Sequence, residues 1–162
     1  ALLRERAATP GAAVRAEVPL LLHLHGTTGA VLRGSIDLLV EQAGAPPLVV
    51  DYKTDRLNGA SPAERAARYG TQRTIYALAV AEARGSAEVE VAYVFLERPA
   101  EPVIELLDSE AMARGREELA TAIARIAAGE FPVAPVERRN WDLCRGCPAL
   151  GRLCSGPASE VD

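Results

Sequence analysis

The sequence predicts an α+β (α/β) domain in which three strands, a helix, two strands and a second helix follow one another, the order βββαββα. Three observations carry this prediction. Apolar and polar residues alternate from Val14 to Leu24 and again from Val31 to Glu41. A short aliphatic run, Leu48-Val49-Val50, follows the breaker Gly44-Ala45-Pro46-Pro47. A helix-opening signal, Ser61-Pro62-Ala63-Glu64, comes next. With 162 residues, 49% of them hydrophobic, the chain can bury one sizeable core without disulfides.

Each element has its own warrant. In the first strand Val18, Leu20, Leu22 and Leu24 face one way, and His25-Gly26-Thr27-Thr28-Gly29 turns the chain into a hairpin. His23 and His25 lie two apart on the opposite face, where they fit either exposed strand residues or a metal-binding pair. The second strand is expected to place Ile36, Leu38 and Val40 on one face and Ser35, Asp37 and Leu39 on the other. Asp37 is an acid in an apolar stretch, and a buried carboxylate needs a cation or a hydrogen-bond partner. The third strand ends in Asp51-Tyr52-Lys53, so Asp51 and Lys53 project to one side and Tyr52 to the other. After an Asn58-Gly59 turn, Ser61 fits the N-cap, Pro62 the first helical position and Glu64 the third, a capping box. That helix is expected to run to Ala83, stopped by Gly85. Arg65, Tyr69, Gln72 and Tyr76 recur along it at helical spacing and share a face. Val89 to Leu96 and Val103 to Leu107 read as strands, and Ser109 is expected to cap a helix from Glu110 to Ala128 that ends at Gly129.

Lys53 stands out by composition. Of 18 lysine and arginine residues it alone is lysine. Arginine fills most surface roles at least as well, but it does not supply a compact point charge on a flexible stem. Two carboxylates on neighbouring strands, Asp37 and Asp51, with one lysine beside them, make a site of hard oxygen donors suited to Mg²⁺ or Mn²⁺ and a bound phosphate. A lysine near a dication has its ammonium form disfavoured, which permits a basic role.

Gly34-Ser35-Ile36-Asp37 followed by Asp51-Tyr52-Lys53 resembles the PD-(D/E)XK nuclease superfamily. Asp51-Tyr52-Lys53-Thr54-Asp55-Arg56 followed by Gln72-x-x-x-Tyr76 is similar to its RecB/AddA branch, the nuclease domain at the C-terminal end of UvrD/Rep-like bacterial helicase-nucleases. Glu17-Val18-Pro19 matches a Glu-x-Pro element of that branch. The resemblance implies a restriction-endonuclease-like core with a mixed sheet flanked by helices. It also implies Mg²⁺- or Mn²⁺-dependent hydrolysis of DNA phosphodiesters, in which Asp37, Asp51 and the Tyr52 carbonyl ligate metal and Lys53 orients or deprotonates the attacking water. Gln72 and Tyr76 would position the DNA strand, although a polar helix face docking onto the sheet fits them too. Arg56, Arg65, Arg68 and Arg73 add positive charge suited to a phosphate backbone. The implied partners are a DNA single strand delivered from a duplex end, a helicase motor in the same polypeptide, and a second helicase-nuclease subunit.

From residue 131 the composition changes to a tail carrying Cys144-x2-Cys147-x6-Cys154. This pattern reads as metal ligands rather than disulfides. It resembles the late part of the iron-sulfur staple in some members of the branch, where an earlier fourth cysteine completes a 4Fe-4S cluster. That fourth cysteine is missing here, so free thiols, a cluster in the full-length protein with an outside ligand, or a zinc site remain open. The expected organisation is a lead-in over 1–12, a nuclease core over 13–130 and the cysteine tail over 131–162. The Ala/Arg-rich start without methionine suggests a C-terminal fragment of a longer protein, cut from an upstream helix and a motor.

The net charge is −4, awkward for a DNA-binding protein, so the isolated chain is expected to bind DNA weakly, with its acids away from the cleft. No apolar run has the ~18 residues of a membrane span, and no secretory leader is visible, so a cytoplasmic location and no membrane partner are expected. Three functions compete: a metal-dependent exo- or endodeoxyribonuclease in DNA end resection and double-strand-break repair, a catalytically inactive DNA-binding scaffold, and an iron-sulfur-stapled interaction module. Intact Asp37, Asp51 and Lys53 favour the first.

Overall fold

In a computed structural model, which describes residues 2–24, 29–130, 147 and 149, five strands form one sheet. They are β1 (Ala13–Leu24), β2 (Ala30–Glu41), β3 (Leu48–Lys53), β4 (Val89–Phe95) and β5 (Val103–Leu107), side by side in that order. Only the β3–β4 pair is parallel, as its helical crossover requires; the other three pairs are antiparallel. The result is the expected mixed sheet flanked by helices, with one helix more than expected at the start: α1 (Leu2–Ala8). Arg6 ties α1 down, donating to Glu90 Oε2 at 2.5 Å and to the Pro46 carbonyl at 2.7 Å.

The crossover is where sequence and structure part. The Ser61 capping box forms in full, and Gly85 ends the run in the left-handed conformation. Between them the expected single helix is α2 (Pro62–Ala66), a 3-10 turn (Ala67–Tyr69) and α3 (Gly70–Arg84). At the interruption the Tyr69 carbonyl, at the N-cap of α3, accepts the Tyr93 hydroxyl at 3.0 Å, and the Arg65 guanidinium donates to the Leu57 carbonyl at 3.2 Å. The last helix, α4 (Ser109–Ala127), is capped one residue earlier than expected. Asp108 Oδ1 accepts the Ala111 N–H at 2.8 Å, and Ser109 instead donates to the Ala87 carbonyl.

The larger core fills the face under α3 and α4. Leu20, Leu22 and Leu24 of β1 meet Val49, Val91, Tyr93 and Phe95 of the central strands and Tyr76, Ala77, Val80, Met112 and Leu119 of the helices. A smaller cluster, Val40, Leu48, Val50, Ala92 and Val94, lies on the other face. β2 departs from strict alternation. Ile36 and Leu39 join the larger core, whereas Leu38 and Val40 belong to the smaller one. The break falls at Asp37, opposite Glu17, whose φ of 51° is left-handed for a residue with a side chain. Pairing skips these two residues while the register resumes unchanged on either side.

By internal contacts the chain divides into Ala1–Ala124 and Arg125–Asp162. Within the second unit the helix end is closed by Gly129, with φ of 73°, and by a Glu130 N–H to Arg125 carbonyl bond at 2.9 Å. Among the described residues no helix is long and apolar enough to cross a membrane.

Candidate active site

The site assembles where β2 and β3 separate. Their ladder ends at the Leu38–Val50 pair, which frees the Tyr52 N–H from strand pairing, and the Asp37 carboxylate takes it: Oδ2 accepts at 2.8 Å. The break in β2 and this fork are one feature. Asp37 replaces a ladder carbonyl and is thereby held beside the end of β3, with its second oxygen left for other work.

Asp51 and Lys53 follow on the core side of β3, as alternation predicts, and Tyr52 is exposed on the other side. Among the described residues Asp51 and Lys53 are the buried charged side chains, at 4% and 9% exposure. Burying two charges is expensive even when they pair, and a well-packed apolar pair is often as stable or more so. The fold alone gives no reason to keep them. Lys53 Nζ lies 2.8 Å from Asp51 Oδ2, yet off the direction of a hydrogen bond, so Oδ2 is buried without a donor.

The helix supplies the rest. Lys53 Nζ donates to Gln72 Oε1 at 2.7 Å, Gln72 Nε2 donates to the Tyr76 hydroxyl at 2.9 Å, and that hydroxyl donates to Asp51 Oδ1 at 2.8 Å. The loop Lys53–Gln72–Tyr76–Asp51 is closed by the ion pair. The four-residue spacing of Gln72 and Tyr76 is what lets both reach it from one turn of α3. Burial, then the hydrogen bond and charge of Asp51, then the charge of Asp37, push the Tyr76 phenol well above its ordinary range. Both carboxylates therefore act on one hydroxyl, which keeps its proton.

Two further tyrosines belong to this site although sequence reasoning gave them no role. The Tyr69 ring centroid lies 3.9 Å from Lys53 Nζ and the Tyr93 centroid 5.3 Å. Tyr69 donates its hydroxyl to Asp55 Oδ2 at 2.6 Å. Burial and then Asp55 raise its phenol to about 12; burial followed by the Asp51 charge raises that of Tyr93. A signal existed for Tyr69, which shares the helical spacing of Gln72 and Tyr76. For Tyr93 it lay in the parallel register, which sets Tyr93 directly beside Asp51.

The predicted DNA-contacting arginines scatter. Arg73 pairs with Glu105 of β5, and Arg65 braces the Leu57 carbonyl, whereas Arg56 and Arg68 are exposed. His23 is exposed on β1, and His25 lies outside the described residues. Cys147 is exposed; Cys144 and Cys154 lie outside the described residues. Among the described residues no group of three or more His, Cys, Asp or Glu side chains clusters as a metal site. The donors present fit a hard dication that keeps most of its waters: the Asp51 Oδ2 without a hydrogen-bond donor, the Asp37 carboxylate and the Tyr52 carbonyl.

Among the solved structures similar to the chain are two that are each matched over little more than half of their own length. One is a protein named SSO0001, 18% identical, with 75% of this chain and 55% of that one covered and a TM-score of 0.40. The other is an exonuclease candidate from Eubacterium rectale, 19% identical, with 88% and 54% covered and a TM-score of 0.42. No curated protein matches. A family model describing the PD-(D/E)XK nuclease superfamily matches residues 1–154, nearly the whole chain, and the protein belongs to that superfamily.

Proposed function

We propose that this chain is the nuclease domain of a RecB/AddA-type helicase-nuclease, hydrolysing DNA phosphodiester bonds with Mg²⁺ or Mn²⁺ during end resection. The observation that carries the reading is the closed loop of Asp51, Lys53, Gln72 and Tyr76 beside Asp37. It unites the superfamily acids and lysine with the Gln-x-x-x-Tyr pair that marks the branch. The buried ion pair, which stability does not require, is accounted for by use.

Asp37, Asp51 and the Tyr52 carbonyl would hold the cation. Bound there, a divalent ion polarises a phosphoryl oxygen and lowers the pKa of a coordinated water. Asp51 is fixed by Tyr76 on one oxygen and presents the other. Lys53 carries three N–H groups; Gln72 takes one, and the others are available to a phosphate oxygen or to the attacking water. Gln72 cannot rotate freely, because its amide nitrogen is committed to Tyr76. A DNA single strand passed from a duplex end by a helicase motor is the substrate this reading names, and the −4 net charge suits delivery by a partner better than unaided capture.

The test is Mg²⁺-dependent cleavage of end-labelled single- and double-stranded DNA. Lys53→Ala is expected to abolish cleavage and leave DNA binding intact. Lys53→Arg is expected to fail nearly as badly, since a planar guanidinium does not fit between the Asp51 carboxylate, the Gln72 amide and a tyrosine ring. Wild-type protein that binds DNA and leaves it uncut with either metal refutes the reading in favour of a scaffold.

A further inference from the structure

Lys53 is held by more than its acid. Its ammonium stands 3.9 Å from the centroid of the Tyr69 ring, with Tyr93 farther off at 5.3 Å. The two rings lean together, centroids 5.4 Å apart and planes at 39°. Neither hydroxyl points at the lysine. Tyr69 spends its own on Asp55, and Tyr93 spends its own on the Tyr69 backbone carbonyl. The ring face is thus what Tyr69 offers to Nζ, and the neutral phenol keeps that face attractive to a cation. The helix break serves the same end: the Tyr93 hydroxyl takes the Tyr69 carbonyl at the point where α3 restarts.

We propose that Tyr69 is the positioning residue for Lys53, its ring face fixing the ammonium over the scissile position through a cation–π contact, with Tyr93 bracing the ring and its backbone carbonyl. The Gln72 amide sets one direction for the ammonium, the Asp51 charge holds it close, and the ring face limits its swing. Without it the four-carbon stem is free to swing away from the reacting phosphate. The kinetic part of this inference rests on the nuclease reading; the placement of the ring over Nζ does not.

The single lysine makes a direct test possible. Protein labelled with ¹³C-lysine gives one set of side-chain signals, all from Lys53. In metal-free wild type the Cε and Hε resonances should be displaced upfield by the ring current of Tyr69. Tyr69→Phe should keep the displacement and most of the cleavage rate. Tyr69→Leu should lose the displacement and lower kcat about tenfold or more with KM for DNA little changed, the size expected when a desolvated cation–π contact is removed. Tyr69→Met serves if the leucine variant does not fold. Wild-type lysine signals at their ordinary positions overturn the proposal outright. So does a folded leucine or methionine variant that cuts at the wild-type rate, or a phenylalanine variant as slow as leucine. Wild type that shows the upfield shift yet cuts no DNA refutes the nuclease reading and leaves the ring placement supported.

Discussion

Tyr76→Phe removes one oxygen and leaves the ring, so it separates polar loss from packing loss. The ring is 6% exposed and stays buried, and no cavity opens. Among the described residues its hydroxyl is the hydrogen-bond donor to Asp51 Oδ1, at 2.8 Å, and the acceptor for Gln72 Nε2, at 2.9 Å. Asp51 Oδ2 already has no hydrogen-bond donor, so the variant leaves a buried carboxylate held by the Lys53 ion pair alone. A hydrogen bond to a charged group contributes about 1.5–3 kcal/mol, and stranding a buried acceptor reaches the upper part of that span. Tyr93→Phe is the internal standard. It deletes a bond between neutral groups, 3.0 Å to the Tyr69 carbonyl, for which about 0.5–1.5 kcal/mol is expected. Urea unfolding at neutral pH without divalent metal is the assay, read as a shift in midpoint at constant slope. The expected losses are about 2–3 kcal/mol for Tyr76→Phe and about 1 kcal/mol for Tyr93→Phe. A Tyr76→Phe protein as stable as wild type, or less affected than Tyr93→Phe, would sink the argument that this hydroxyl sustains the Asp51 charge.

Asp37→Asn keeps an oxygen able to accept the Tyr52 N–H, so stability should change by less than about 1 kcal/mol. Mn²⁺ binding by calorimetry should fall below detection; unchanged binding would remove Asp37 from the ligand set. Gly115 packs so closely on Thr74 that an added Cβ would overlap Thr74 Cγ2. Because a β-branched side chain has little rotamer freedom, Gly115→Ala should destabilise by about 1–2 kcal/mol despite alanine's better helix propensity, and a stabilised variant in urea melts contradicts this contact. The raised phenols predict alkaline sensitivity. With Tyr69 pushed to about 12 and Tyr76 and Tyr93 also raised, the native state holds protons that the unfolded chain releases near pH ~10. Stability is therefore fully present below that pH and declines as pH rises through the folded values. Phenolate absorbance followed together with circular dichroism checks this; ionisation of all three near pH ~10 in a still-folded protein denies it.

Much of the scaffold was legible because single residues carried local rules. The Ser61–Glu64 box starts α2, and Gly85 stops α3. Alternation in β3 put Asp51 and Lys53 on one side and Tyr52 on the other. What was not legible depends on partners distant in sequence. The β2 face change at Asp37 follows from a left-handed Glu17 across the hairpin and from a fork with β3; no window around Asp37 contains it. At the Ala67–Tyr69 interruption the Tyr69 carbonyl meets a hydroxyl on β4. Ser109 looked like a cap, but Asp108 sat one place earlier with a carboxylate able to do the same work, and the Ser109 hydroxyl donates instead to the Ala87 carbonyl. The surroundings of the arginines were not legible for a related reason: a local window does not contain the acid on a neighbouring strand, and Glu105 pairs with Arg73.

The same places explain why this site is built as it is. A regular β2 would have spent the Tyr52 N–H on a strand carbonyl. At each irregularity a backbone group meets a site residue: Asp37 accepts the Tyr52 N–H, and Tyr93 donates to the Tyr69 carbonyl at the N-cap of α3. Irregular backbone is costly unless each freed group finds a partner, so the two breaks and the two side chains depend on each other. Removing either side chain should therefore disturb backbone as well as chemistry. Restoring ideal secondary structure at either break, for instance with Glu17→Val in the hairpin, would pull Asp37 from the end of β3 or the Tyr69 ring from Lys53 rather than improve the fold.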